Sequence, residues 1–221
     1  SINFEDGGMP AIVPGDLIKL TCPASAKSDH PCRAVYSVGR DGYRHPFPQS
    51  KVYFTWYADF QTIPIKTVSS DVMAKLQVGK PVPMRYGTNL VMLTGESNVY
   101  AVEPDGVLRR IASEAQAKAL FGKDWAKRVI DLSSSLFSGT YVFGTDLNDN
   151  EVPAWSIIKG ADNKYYQVTA NHSLRLVKDL SVLTGMRYED KFVLKSLSNE
   201  GSLTKTTEIV SSAKDDTTFI F

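Results

Sequence analysis

The chain has 221 residues, 43% of them hydrophobic and 10% aromatic, enough for one large core or two or three small ones, so wholesale disorder is excluded. Its 25 basic and 24 acidic side chains leave a net charge of +1, which lacks the electrostatic footprint of a nucleic-acid or anionic-membrane binder. No apolar run approaches the roughly 18 residues that span a bilayer.

The chain opens at Ser1 with no charged leader, so a removed leader or a trimmed chain is expected. Leu17-Ile18-Lys19-Leu20 reads as a first strand. Cys22 and Cys32 then bracket a loop containing Pro and Ser. The even count and close spacing predict a disulfide, worth roughly 3 kcal/mol on a chain-entropy estimate. A metal reading of Cys22, His30 and Cys32 lacks a fourth ligand at a usual spacing.

Val35-Tyr36-Ser37-Val38 is β-prone, and Asp41-Gly42 follows as a turn that accepts positive φ. Tyr43-Arg44 begins the return strand. The segment 51–57 is β-branched and aromatic, so helix and strand both stay open there. Its ring cluster (Tyr53, Phe54, Trp56, Tyr57, Phe60) reads first as core and second as a sugar-stacking platform. A short helix is expected from Ser69 or Ser70.

Next comes Leu90-Val91-Met92-Leu93, then Val99-Tyr100-Ala101-Val102 with Asp105-Gly106 as its turn and Leu108-Arg109 returning. Ser113 and Gln116 form a capping box for a helix with Ala115, Ala119 and Leu120 on its apolar stripe and Gly122 at its stop. A further short helix is expected from Ser133 or Ser134. Asp146, Asn148 and Asn150 alternate like calcium ligands, but Glu151 and Ile157 occupy the places where an EF-hand needs Gly and Glu; a solvated linker over 148–153 is the expectation.

Trp155-Ser156-Ile157-Ile158 and Tyr165-Tyr166-Gln167-Val168 open a third such run, with Asn171-His172 at the turn and Leu174-Arg175 returning. Asp179 caps a short helix ending near Gly185. The Ser/Thr/Lys-rich tail ends in Thr217-Thr218-Phe219-Ile220-Phe221, which reads as a last strand of the chain's own sheet or one given to a neighbour.

A constant offset relates these runs. Residues 35–38, 41–42, 56–57, 65 and 68–70 match 99–102, 105–106, 120–121, 129 and 132–134 at 64 positions. Leu108-Arg109 matches Leu174-Arg175 at 66. The expected architecture is α+β: three diverged copies of a small antiparallel sheet, each a hairpin plus one strand covered by a short helix. The divisions are an arm and disulfide loop over 1–33, copies over 34–89, 90–150 and 151–209, and a C-terminal strand or arm over 210–221.

The chemistry-bearing residues are few. His30, His45 and His172 are the only histidines. No nucleophile elbow, His-Glu-x-x-His, P-loop or dinucleotide fingerprint occurs. Asp41 and Asp105 suit turn chemistry. No cofactor, metal or catalytic role is expected. Tyr53-Phe54-Thr55-Trp56-Tyr57-Ala58-Asp59-Phe60, Arg85-Tyr86-Gly87-Thr88 and the run from Val99 through Arg109 carry a likeness. On these stretches, residues 15–147 resemble repeat modules of predicted secreted proteins from uncultured bacteria; the third copy departs from the pattern. The resemblance implies repeat architecture and an extracellular or cell-surface setting, and no established activity.

Together these features predict a secreted structural protein that binds copies of itself, as a subunit of a filament, surface layer or appendage. Thr218, Phe219, Ile220 and Phe221 are its candidate assembly strand. The alternative is a module binding cell-wall glycan or a protein partner.

Overall fold

The computed structural model describes residues 11–137, 139–195, 197 and 200–215. The expected assembly strand, Thr218 to Phe221, lies outside these residues. The architecture is α+β, with three small sheets in two compact units that divide between Pro83 and Met84.

The first unit holds β1 (Leu17–Leu20), β2 (Tyr36–Val38), β3 (Arg44–Pro46), α1 (Ser50–Trp56), β4 (Ile65–Val68) and α2 (Ser70–Lys75). Strands β1, β2 and β3 form an antiparallel meander, and β4 returns parallel to β1. Residues 77–79 run parallel to β3 through the Arg44–Val78 bridge. The aromatic segment is a helix. Tyr53, Trp56 and Tyr57 recur at helical spacing and all bury against Leu17. The Trp56 indole N–H also donates to Pro83 O at 2.8 Å. That burial outweighs a modest local preference for strand. Ser69 caps α2, which covers the opposite sheet face around Ile18, Val38 and Val68.

The second unit repeats the plan twice. Its first sheet comprises β5 (Leu90–Leu93), β6 (Val99–Glu103), β7 (Val107–Arg110), α3 (Glu114–Phe121), β8 (Val129–Leu132) and β9 (Val142–Phe143). Its second comprises β10 (Ile157–Lys159), β11 (Tyr165–Val168), β12 (Leu174–Val177), α4 (Leu180–Gly185), β13 (Leu194–Lys195) and β14 (Lys205–Val210). The orders are β8-β5-β6-β7-β9 and β13-β10-β11-β12-β14. Each sheet is therefore larger than a hairpin plus one strand. A strand after the helix joins the first strand in parallel, and another flanks the third. The helix supplies the crossover that a parallel partner requires.

Registers show the repeat residue by residue. Ser37 pairs with His45, Ala101 with Arg109, and Gln167 with Arg175. His45, not Arg44, is thus the counterpart of Arg109, and Arg44 corresponds to Leu108.

Within the second unit one core joins the two sheets. Leu90, Ala101 and Leu120 cluster with Ile158, Val168 and Leu174. Val152, in the expected linker, is fully buried in the same cluster. Arg85 is a second joint. Its guanidinium donates to the carbonyls of Met186 at 2.6 Å and Arg187 at 3.0 Å, and lies 3.8 Å over the Tyr188 ring. It thereby satisfies carbonyls at the C-terminal end of α4. At Gly87 an added Cβ would lie 2.3 Å from Ser156 N, so only glycine admits the Trp155–Ser156 backbone there.

Candidate functional site

The turn residues fall at equivalent places. Gly39, Glu103 and Thr169 pair with Tyr43, Val107 and Ser173 across the three hairpin ends. Gly42, Gly106 and His172 each precede the return strand with positive φ, at 83°, 73° and 59°. Asp41, Asp105 and Asn171 stand one residue earlier. The Asp41 carboxylate accepts from Tyr43 N–H at 3.0 Å, closing an Asx turn.

Polar side chains recur at one register position, buried at His45 and half-buried at Arg109 and Arg175, and support these turns. The His45 ring is buried, with Nε2 at 3.1 Å from the Asp41 carboxylate and Nδ1 at 2.8 Å from Lys80 O. Both ring nitrogens therefore face oxygen atoms. Burial works against the Asp41 carboxylate, yet the hydrogen bonds from His45 and Tyr43 and the His45 charge outweigh it and hold the carboxyl below its ordinary range.

At the matching position Arg109 donates to Glu103 at 3.0 Å and to Glu151 at 2.7 Å. His172 Nδ1–H donates to Val152 O at 2.9 Å, while Nε2 accepts from Arg109 at 3.3 Å. Arg175 Nε donates to Gln167 Oε1 at 3.0 Å. Asp146 is paired with Arg110, and the Asn148 N–H bonds Glu151. Among the described residues no group of three or more His, Cys, Asp or Glu is placed to hold a metal.

Cys22 and Cys32 form a disulfide. His30 takes no part in it; its Nδ1 accepts from Cys32 N–H at 3.2 Å and caps a short 3₁₀ turn, Pro31–Arg33. The bridged loop is an insertion. Residues 21–35 join β1 to β2, whereas residues 94–98 and 160–164 suffice in the other copies. Arg33 fastens the loop to itself through Lys27 O and Ala26 O, each at 2.8 Å.

This loop walls a groove of about 840 Å³. Lys19, Ile65 and Thr67 form its floor on one sheet face, and Phe47, Ser50, Tyr53 and Phe60 its far side. Phe60 is 49% exposed, with its ring 4.7 Å from that of Tyr53. Asp59 fixes the turn that presents it, accepting from the Gln61 and Thr62 N–H groups at 2.6 Å each. Those N–H groups hold the Asp59 carboxyl below the ordinary range. The cluster thus divides. Tyr53, Trp56 and Tyr57 are core, while Phe60 faces the groove. Sequence reasoning missed the groove, although the unequal connections between matched strands were its signal.

The outer sheet edges form another recurring surface. Val78, Val142, Phe143 and Ile209 are each more than half exposed; the last three lie on the strand flanking the third strand of a sheet, and Val78 makes an isolated bridge to β3 at the same place in the first copy. No helix among the described residues is long and apolar enough to cross a membrane. No family model, curated protein or solved structure matches the chain.

Proposed function

We propose that the chain is a non-catalytic, extracellular structural repeat protein that associates with its own copies through its outer sheet edges. It would serve as a subunit of a filament, surface layer or cell-surface appendage. The observation that carries this reading is the recurrence of exposed apolar side chains on the edge of every sheet, at Val78, Val142, Phe143 and Ile209. An edge left without charge, proline or bulges is a template for strand addition; β14 carries Lys205, Glu208 and a register shift, so the two apolar residues of β9 are the less guarded edge. The disulfide supports an oxidising compartment. The buried His45 and the half-buried Arg109 and Arg175 support a scaffold, since each is engaged in holding a hairpin.

Light scattering and electron microscopy of the purified chain test this reading. Concentration-dependent assemblies are expected, and Val142→Lys with Ile209→Lys should shift them to monomer while circular dichroism stays unchanged. A chain that remains monomeric at about 0.5 mM, far above weak-interface affinities, contradicts it. A second reading, a ligand-binding module, is favoured by the groove of the first copy.

A further inference from the structure

We propose that this groove is a carbohydrate site that takes a short neutral oligosaccharide. The proposal rests on the second reading above and is independent of edge association. Three observations carry it.

The first is that the groove is built by additions to the shared plan. The other two copies connect the matching strands with tight hairpins, whereas the first inserts a loop, closes it with Cys22–Cys32 and pins it with Arg33. The register also places Tyr53 where the second copy has Ala117, and Phe47 where it has Ile111. Sheet pairing requires none of these changes.

The second is the chemistry of the lining. Phe60 offers an exposed ring edged by Tyr53, a surface on which the C–H face of a sugar ring can pack. Around it Lys19 and Ser50 can donate, and Asp29, Ser50 and Thr67 can accept. None of these four makes a side-chain hydrogen bond or ion pair among the described residues. Sugar hydroxyls both donate and accept, so they match this mixture. The charged lining is Lys19 and Arg33 against Asp29, with the Arg33 guanidinium engaged by the Lys27 and Ala26 carbonyls, so opposite signs offset one another and the field that would select a charged ligand is weak.

The third is the floor. Lys19, Ile65 and Thr67 point up from one sheet face, and β1 lies between β2 and β4. A ligand seated there meets the side chains of a sheet face, whereas an extended peptide would have to add along β4, the edge strand that carries Ile65 and Thr67.

Calorimetric titration of the whole chain tests the proposal. The probes are soluble hexaoses of β-linked glucose, N-acetylglucosamine, mannose and xylose. At least one should bind with Kd between about 10 μM and 1 mM, an affinity that holds within about twofold when salt rises from about 0.05 to 0.5 M. Phe60→Ala should weaken binding at least tenfold; because Phe60 is half exposed, the fold should persist, checked by circular dichroism. Failure of every hexaose to bind, equal affinity in Phe60→Ala, or collapse of binding with salt each overturns the proposal. Titration and light scattering are separate readouts, so this site can fail with edge association intact, and the reverse.

Discussion

Left-handed backbone at Gly42, at Asp105 with Gly106, and at His172 sets the turn that registers each sheet. At Gly106 the demand is doubled: φ is 73° and an added Cβ would sit 2.2 Å from Thr140 O. Gly106→Ala should therefore cost about 2–4 kcal/mol, seen as a lower midpoint in urea unfolding. Asp41 makes the first hairpin acid-sensitive. Its folded carboxyl lies below the ordinary value of 3.8, so it binds fewer protons folded than unfolded. Its contribution is complete above 3.8 and is lost as pH falls through the lower folded value. Thermal melts of Asp41→Asn should fall below wild type near neutrality and converge with it as pH falls through the lowered folded value. Arg85 was legible only as part of a resemblance. Its partners lie 101 and 102 residues away, a separation that no local pattern encodes. Arg85→Ala should destabilise the second unit by about 2–4 kcal/mol, because two charge-assisted hydrogen bonds and a ring contact go together.

Among the elements, the hairpins and the capped helices were readable because their signals are local. Ser113 accepts from Gln116 N–H at 3.1 Å, and the Gln116 side chain accepts from Ala112 N–H at 2.7 Å, a variant of the expected capping box. Ser113→Ala should cost about 1 kcal/mol, measured by chemical denaturation. The parallel strands were not legible. Strand β9 has two residues and β13 two, too short for an alternation to declare itself. Their pairing depends on where a helix returns the chain, which is a tertiary fact. Helix α1 was ambiguous for the opposite reason: its ring-bearing residues favour strands in isolation, and only the sheet beneath them selects the helix.

At the scale of the whole molecule, repetition does not imply independence. The second and third sheets share the cluster of Leu90, Leu120, Ile158 and Leu174. A fragment of residues 84–150 should consequently lack cooperative unfolding in calorimetry, while residues 84–215 should retain it. The inserted loop behaves differently. It leaves and rejoins the first sheet through one hairpin, and the sheet's own pairs do not pass through the bridged segment. Thiol reductants should accordingly slacken the wall across the groove from Phe60 while leaving strand pairing in place. Reduced and oxidised chain should therefore share one strand pairing and differ at residues 21–35, a difference that hydrogen exchange under reductant would read.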